Sequence, residues 1–577
     1  MPDLLYEIGA EEIPAGYIGP ALEQLARRLD EELTQAGLDH GTVAATGTPR
    51  RLVVTSRDVA ERQADVEEEV TGPPAKIAFD AEGNPTKAAE GFARSQGVAL
   101  EAIRRADTDR GEYCVVTRHT TGRPAVELLA EILPRITLDI SFPKSMLWPE
   151  SDRPFARPVR RLTALLGGDV ISFELFGVRS GRSVELHPIL DGGRAELADA
   201  DAEAYRETLR KGCVVVEAAE REAAIRTGIE ASLEQFGGAL REEELLREVV
   251  NLVQYPSVSV GGFDREFLKV PAKVIEAAMM EHQRYFPVVN GAGELEPHFI
   301  VVSDRGPEPS DAIRVGNEEV LRARLADAQF FYEVDRKRSL AAFAEELDGI
   351  QFLRGLGTYG DKARRLEKLA EVVAEALGTD RDTLEHARRA ATLCKADLLT
   401  EMVGEFPKLQ GEVGRIYAVE DGEPEAVADA IVEHYLPRSA DGELPQSPSG
   451  LVLSLAEKLD NLTACFAIGR APSGSADPFA LRRQGQAALR ILIESGRHVS
   501  LDGLLHEAQA LLPAPARSAE GAVEQLLEFL GDRLFQMALD DGVPHDLIRA
   551  VMAAGCDDVV DFRRRLDAVC ELSQDKC

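Results

Sequence analysis

The spacing of apolar residues changes at about residue 336, and this change limits what the chain can fold into. Before it, short β-rich runs alternate with helical segments; examples are YCVVTRHT, VISFELFGV, PSVSVGGF and HFIVVS. After it, strand patterns nearly vanish. Helical spacing runs through residues 361–376, 381–403, 424–436, 450–466, 478–495 and 519–570. We therefore expect a multidomain α+β protein in which a mixed body is followed by an all-helical part, with a boundary near residues 336–355.

The chain has 577 residues, more than a single hydrophobic core supports. The pattern divides it into four predicted segments. They are an N-terminal α+β region at 1–110, an α+β body at 111–335, a helical domain at 336–510 and a helical C-terminal segment at 511–577. The loop RSADGELPQSPSG, at 438–450, interrupts the helical half, because its Pro and Gly residues do not propagate a helix.

Charge and cysteine content restrict the class of protein. The 66 basic and 100 acidic residues give a formal net charge of −34, which opposes nucleic-acid binding by the chain as a whole. Exposed charges are screened within about 8 Å at physiological salt, so a local basic face still functions on an acidic body. Seven scattered cysteines without a CxxC pair indicate reduced thiols. No membrane span or signal peptide is recognisable, and we expect a soluble cytoplasmic protein.

The N-terminal stretch LLYEIGAEEIPAGYI contains the carboxylates of Glu7, Glu11 and Glu12 among apolar residues. Residues 4–9 read as a strand, and the following segment PALEQLARRLDEELTQAG reads as an amphipathic helix. Clustered carboxylates serve acid–base chemistry or a metal, but no His or nucleophile lies nearby in sequence. We expect Glu7 on the strand face opposite Tyr6. Glu11 and Glu12 then cap the helix or pair with basic residues such as Arg50 and Arg51.

Three other stretches combine basic residues with turns or aromatic residues. In FPKSMLW, Lys144 is predicted to be exposed on a turn, either as a phosphate contact or as a solvated lysine. The stretch is also similar to the KMSKS loop of class I aminoacyl-tRNA synthetases, but the HIGH motif that accompanies that loop is absent, which argues against ATP binding here. MMEHQRYFPV places Arg284 beside Tyr285 and Phe286, which suits RNA binding or a helix end leading into a buried strand. In SADPFALRRQ, Asp477 is the predicted N-cap of a helix whose second turn holds Arg482 and Arg483.

The helical half is similar to the metal-dependent phosphohydrolases called HD domains. Those enzymes hold a metal with a His, a His-Asp doublet and a distant Asp. Here LEHARRAATLCKADLL supplies His386 and Asp397, and AEKLDNL supplies Asp460, but the doublet reads Ala396-Asp397. Loss of that imidazole removes a ligand that carboxylates replace poorly. We expect an HD-like scaffold with a degenerate site and no metal; a working phosphohydrolase is the enzymatic alternative.

A longer series of motifs, in a fixed order, extends over about residues 3–570. It includes LLYEIGAEEIPAGYI, TPRRLVV, NPTKAAEGFARSQGV, FPKSM, EVVNLVQYPS, MEHQRYFPV, GNEEVLRARLADAQFFYEVD, KADLLTEMVGEFPKLQGEVGRIYA, EHYLP, LAEKLDNL and GSADPFALRR. The chain closely resembles the β subunit of bacterial heterotetrameric glycyl-tRNA synthetase. The resemblance implies an enzyme of two α and two β chains. Its α subunit binds glycine, ATP and Mg, whereas the β subunit binds tRNA(Gly), holds no cofactor and has no catalytic residue.

On this resemblance we select basic residues in the family-like blocks as candidates for tRNA binding. They are Arg50, Arg51, Lys87, Lys144, Arg157, Arg160, Arg284, Arg482 and Arg483. The chain departs from the family pattern at Leu147, at Arg161 and around His187. It also ends about where a helical anticodon-binding domain is expected to start. A free-standing tRNA-binding module without an α partner is the remaining alternative.

Overall fold

The computed structural model describes residues 1–80, 83–108, 111–148, 153–234, 243–306, 310–474 and 476–574. The chain forms two compact units. Unit 1 comprises Met1–Gly262 and Arg284–Glu318, and unit 2 comprises Phe263–Gln283 and Glu319–Cys577. The two units divide at 318/319, before the predicted boundary at 336–355. The division lies inside the continuous helix Asp311–Asp335, where the sequence pattern shows no break. The segment 263–283 also joins unit 2, although its sequence lies within the predicted α+β body.

The strands of the described residues are mostly short. They are β1 (Leu4–Ala10), β2 (Val43–Thr48), β3 (Arg51–Ser56), β4 (Val66–Pro74), β5 (Arg104–Thr108), β6 (Gly111–Thr120), β7 (Met146–Leu147), β8 (Pro154–Phe155), β9 (Val159–Leu166), β10 (Asp169–Val170), β11 (Glu174–Leu175), β12 (Val178–Gly181), β13 (Ser183–Glu185), β14 (Arg194–Glu196), β15 (Ser257–Gly262), β16 (Phe286–Val289), β17 (Leu295–Ser303), β18 (Gln351–Leu353) and β19 (Gly357–Thr358).

The α-helices become dense in the second half of the chain. They are α1 (Ala15–Gln35), α2 (Ala75–Ala78), α3 (Lys87–Gln96), α4 (Ala125–Leu138), α5 (Ala202–Lys211), α6 (Ala218–Leu233), α7 (Glu243–Val250), α8 (Ala272–Ala277), α9 (Asp311–Asp335), α10 (Leu340–Ala344), α11 (Tyr359–Leu377), α12 (Arg381–Leu393), α13 (Glu401–Glu405), α14 (Glu412–Glu420), α15 (Glu425–Glu433), α16 (Pro448–Ala467), α17 (Leu481–Ser495), α18 (Leu501–Ala510), α19 (Ala514–Arg517), α20 (Ala522–Asp540), α21 (His545–Met552) and α22 (Val559–Gln574).

The main sheet of unit 1 has β1 as an inner strand. Its order is β11–β12–β9–β1–β3–β2, with β10 also pairing with β9. β1 is antiparallel to both β3 and β9, and Glu7 lies opposite Val53 and Thr163. Every residue of β1 is buried. Tyr6 and Ile8 belong to a core that includes residues of α1 and α4, whereas Leu5 belongs to a second core that includes residues of α5. Both faces of the strand are therefore covered.

Smaller sheets complete unit 1. β4, β6 and β5 form an antiparallel sheet in the order β4–β6–β5, and the cluster of Ala78, Ala89 and Cys114 joins it to α2 and α3. β15, β17 and β16 form another antiparallel sheet in that order. β7 pairs antiparallel with β8, with Met146 opposite Phe155. The mixed α+β character predicted for this half of the chain is confirmed.

Unit 2 is built around α16. This helix packs against α11, α12, α15, α17, α18 and α20. Most of its residues are buried on all sides, as expected for the central helix of a helical domain. Ser447 caps its N-terminus, where its side chain accepts the N–H of Gly450. Three charged residues of α16, Glu457, Lys458 and Asp460, are buried with the apolar ones. Buried charges require partners, and those partners define the inner site of this unit.

Candidate functional sites

The carboxylate of Glu7 lies at the centre of a buried charge cluster in unit 1. Glu7 is fully buried. Its Oε1 accepts from Arg161 at 2.9 Å, and its Oε2 accepts from the Tyr205 hydroxyl at 2.5 Å and from Arg51 at 3.5 Å. Arg161 also pairs with Glu185 at 3.2 Å. The cluster therefore connects β1, β3 and β9 to α5.

The electrostatics of this cluster keep Glu7 ionised. Burial alone raises the pKa of Glu7, but Arg51, Arg161 and the hydrogen bond from Tyr205 outweigh burial, so the pKa lies below its ordinary value of 4.5. Burial and the neighbouring Glu7 carboxylate raise the pKa of Tyr205 well above 10. A carboxylate with this many donors has neither a free ligand position nor an exchangeable proton at neutral pH. These contacts favour a structural role for Glu7.

Glu11 and Glu12 lie at the turn after β1, and their expected pairing with basic residues is confirmed. Glu11 pairs with Arg50 at 3.2 Å and with Arg160 at 2.9 Å, and Glu12 lies 3.8 Å from Arg50. The N-cap position of α1 is Pro14, which provides no side-chain cap. The alternative, that these carboxylates cap the helix, is therefore wrong.

The nine candidate basic residues divide into two sets by what they contact. Four are engaged by carboxylates: Arg50, Arg51, Arg160 and Arg284. The other five make no ion pair within the described part of the chain: Lys87, Lys144, Arg157, Arg482 and Arg483. Arg51 is 2% exposed, so its guanidinium does not face the solvent in this structure. Its buried ion pair with Glu7 gives the tRNA-binding prediction no support.

Lys144 and Arg157 lie on neighbouring segments beside the β7–β8 pair. Leu147 is opposite Pro154 and Met146 is opposite Phe155. Lys144 lies two residues before β7, and Arg157 lies two residues after β8. Lys144 is exposed, and Arg157 is half-buried with one donor to the Ala156 carbonyl at 3.0 Å. Within the described residues, neither Lys144 nor Arg157 makes an ion pair, and both flank the β7–β8 pair.

Arg284 begins the return of the chain into unit 1. Its backbone adopts a left-handed conformation with φ of 58°, and its guanidinium pairs with Glu248 at 2.8 Å. The next residues, Tyr285 and Phe286, are buried, and the Tyr285 ring stacks on Phe299 with centroids 4.7 Å apart. Of the two interpretations of MMEHQRYFPV, the buried strand is confirmed. These two rings are not available to stack on RNA bases.

Unit 2 contains a second buried charge cluster, in which lysines neutralise the carboxylates of α16. Lys362 Nζ lies 2.8 Å from Asp460 and 3.3 Å from Glu457. Lys395 Nζ lies 3.0 Å from Glu457 and 2.8 Å from His434 Nε2. Arg365 donates to Asp460 at 2.7 Å. Despite burial, which acts in the opposite direction, these cations hold the pKa values of Glu457 and Asp460 below their ordinary range.

The predicted HD remnants do not assemble into a metal site. Asp460 is held by Lys362 and Arg365, and Asp397 accepts the backbone N–H of Gly411 at 2.6 Å. Burial raises the pKa of Asp397 to about 6. His386 is half-buried on α12 and has no described hydrogen bond to either aspartate. Among the described residues, no three His, Cys, Asp or Glu side chains converge as metal ligands do. Ammonium groups beside the carboxylates do not fit a bound cation.

A cleft of about 350 Å³ opens beside this cluster. Its lining includes Gln410, Arg438, Lys458, Asn461, Arg483 and Gln484. Arg483 lies on the first turn of α17, where Asp477 accepts the N–H groups of Leu481 and Arg482. The prediction that the helix starts at Pro478 is wrong, because Ala480 adopts φ of 53° and a left-handed residue does not continue a helix. Asp477 nevertheless caps the helix from upstream, as its sequence context indicates.

Sequence reasoning missed the buried lysines Lys362, Lys395 and Lys458. A signal was present in SLAEKLDNL, where Glu457 is separated from Asp460 and Asn461 by three and four positions, one face of a helix. Charged residues on an otherwise apolar helix indicate buried partners. The identity of those partners was not readable, because Lys362 lies 98 positions before Asp460.

Comparison with known proteins first identifies the class of protein to which this chain is similar. Residues 4–553 match a family of aminoacyl-tRNA synthetase chains described as "Glycyl-tRNA synthetase beta subunit". Three curated relatives are named "Glycine--tRNA ligase beta subunit". That of Desulforamulus reducens is 42% identical over 97% of this chain and 81% of its own length. That of Trichlorobacter lovleyi is 43% identical over 98% and 82%, and that of Myxococcus xanthus is 44% identical over 98% and 81%.

The chain belongs to the family of glycyl-tRNA synthetase β subunits. The resemblance drawn from its motifs is thereby confirmed. In the described part of the chain, no helix is long and apolar enough to cross a membrane.

Proposed function

We propose that this chain is the tRNA-binding, non-catalytic subunit of a glycine–tRNA ligase composed of two α and two β chains in the cytoplasm. In the reaction, ATP activates the glycine carboxylate, and the glycyl group is then transferred to the 3′ end of tRNA(Gly). The α subunit holds glycine, ATP and Mg; this chain binds the tRNA and the α subunit. The observation that carries the proposal is the similarity over 97–98% of the chain to proteins named as this subunit.

The charge distribution within the units supports a binding role. The buried carboxylates Glu7, Glu457 and Asp460 are each neutralised by arginine or lysine. Lys87, Lys144 and Arg483 are exposed and have no carboxylate partner among the described residues. Cations left free on an acidic protein are suited to phosphate contacts, because phosphate neutralisation dominates the affinity of proteins for nucleic acids. We assign the first tRNA contact to Lys144 and Arg157.

We propose that unit 2 is an HD-like helical domain in which lysine side chains occupy the place of the metal ion. Asp397 and Asp460 stand for the carboxylate ligands, and Lys362 and Lys395 supply the positive charge that a metal would otherwise supply. This arrangement retains a rigid centre without hydrolytic chemistry.

The decisive experiment measures glycylation of tRNA(Gly) by the α subunit alone, by this chain alone and by the mixture. Charging is expected only in the mixture. A Lys144→Glu/Arg157→Glu variant is expected to raise the KM for tRNA while leaving ATP–pyrophosphate exchange unchanged. Lys211→Glu is the matched control, since Lys211 is 81% exposed and 3.9 Å from Glu207. Charging by this chain alone, or by α equally well without it, would refute the proposal.

A further inference from the structure

The cleft beside α16 and α17 has an excess of positive charge. Three of its lining side chains are cations, Arg438, Lys458 and Arg483, and one is a carboxylate, Glu457. Glu457 already pairs with Lys362 and Lys395 on its buried side. The chain as a whole has a formal charge of −34, so the net positive charge of this cleft is opposite in sign to that of the protein. An electropositive concave site attracts anions, because low-dielectric walls focus the field.

Two arginines have donors to spare. Arg483 is exposed and has no ion pair within the described chain. Arg438 donates one hydrogen bond to the Gln410 carbonyl at 3.2 Å and also lies 5.8 Å from the centre of the Tyr435 ring. A guanidinium carries five N–H donors in a planar fork, which matches the oxygens of a phosphate group. In both arginines, most of these donors have no partner among the described residues.

Lys458 also lines the cleft, but all three of its N–H donors are already used within the protein. Its Nζ donates to the carbonyls of His434 and Leu436, at 2.7 and 2.6 Å, and to Ser454 Oγ at 3.0 Å. Burial lowers the pKa of Lys458 to about 7, with Glu457 acting in the opposite direction and Lys395, Lys362 and Arg438 in the same direction. An anion in the cleft would offset this concentration of cations.

We propose that this cleft binds the phosphate group of a single nucleotide, with Arg438 and Arg483 donating to the phosphate oxygens. The volume of about 350 Å³ falls within the range of small-molecule sites and accommodates one nucleotide but not a duplex. A free nucleotide and the unpaired end of an RNA strand present the same chemistry. The site shares Arg483 with the candidate tRNA contacts but needs neither the α subunit nor Lys144 and Arg157, so its failure and the failure of the charging proposal are distinguishable.

The test is isothermal titration of the full chain with four probes. They are inorganic phosphate, adenosine 5′-monophosphate, a single-stranded RNA trimer with a 5′-phosphate and the same trimer without it. We expect saturable binding of the phosphorylated probes. Arg438→Gln/Arg483→Gln should weaken it by about tenfold or more, since each arginine contributes charge-assisted hydrogen bonds. Both side chains are exposed, so the variant should keep the circular dichroism and thermal midpoint of the parent.

Arg549→Gln is the matched control, because Arg549 is an exposed arginine of the same unit, has no described ion pair and lies outside the cleft. Its binding should equal that of the parent chain. Tighter binding of the monophosphate identifies a free nucleotide as the source, and tighter binding of the phosphorylated trimer identifies an RNA end. Absence of binding at millimolar probe, binding that survives the double substitution, or an equal loss in Arg549→Gln would overturn the proposal.

Discussion

Replacing Glu7 by Gln tests whether the buried cluster of unit 1 depends on charge. Glutamine keeps the shape of the side chain, so no cavity is created, but the negative charge is lost. Arg51 then loses its only carboxylate partner in the described structure while remaining 2% exposed. Arg161 keeps Glu185, which is 33% exposed. Breaking a buried ion pair by removing one partner costs about 3–5 kcal/mol. Because Arg161 retains one partner, we expect a loss near the lower limit.

A loss of about 3 kcal/mol corresponds to a factor of roughly 150 in the unfolding equilibrium. Because the chain has two units, a single unfolding transition is not a safe measure. Native-state hydrogen exchange at the amides of β1, β3 and β9 reports the stability of unit 1 directly. Glu12→Gln is the control: Glu12 is 78% exposed and 3.8 Å from Arg50, so its loss should cost less than about 0.5 kcal/mol. Equal protection in the two variants would refute the reasoning.

The effect of Glu7 should also depend on pH in a defined direction. Its folded-state pKa is lowered from 4.5, so its stabilisation is complete above the unfolded pKa and is lost as the pH falls through the folded pKa. The difference in stability between parent and Glu7→Gln should therefore be constant near neutrality and shrink below about pH 4. A difference that grows on acidification would contradict the assigned direction.

Other predictions follow from unit 2 and from the free cations. Gly411→Ala should destabilise unit 2 by about 1–3 kcal/mol in thermal unfolding, because φ at Gly411 is 90° and a Cβ there would lie 2.8 Å from the Tyr435 ring. Gly422→Ala is the control: φ is 84° but the surroundings are open, so this substitution should destabilise the unit less. Lys144→Ala and Arg157→Ala should each reduce the salt slope of tRNA binding by about one, whereas Lys211→Ala should not. Chelators should leave the thermal midpoint unchanged, and added Mn²⁺ should release no phosphate from nucleotides; metal-dependent release would instead favour the phosphohydrolase.

Local patterns predicted the elements well. β1, α1 and the helical half follow from spacing over a few residues, and such spacing is recorded directly in the sequence. The burial of Glu7 was not predictable in this way, because it depends on α5 covering the second face of β1. The near-continuous apolar run LLYEIGA did carry a hint, since strands covered on both faces lack clean alternation.

The candidate site was less predictable than the fold, for a related reason. Whether an arginine is free depends on carboxylates far away in sequence: Arg160 and Glu11 are 149 positions apart, and Arg365 and Asp460 are 95 apart. Sequence blocks indicated where basic residues occur but not which of them are already paired. The predicted start of α17 was wrong because nothing in the spacing of the neighbouring residues indicates that Ala480 adopts a left-handed conformation.

The long reach of the Glu7 cluster has a consequence for the chain as it leaves the ribosome. Glu7 is made 198 positions before Tyr205, whose hydroxyl donates to its carboxylate. At about 5–20 residues per second, this interval is roughly 10–40 s. During that time β1 has neither its partner strand β9 nor the covering helix α5. β1 is therefore synthesised well before its buried contacts can be completed, and the Glu7 cluster can form only after Tyr205 has been made.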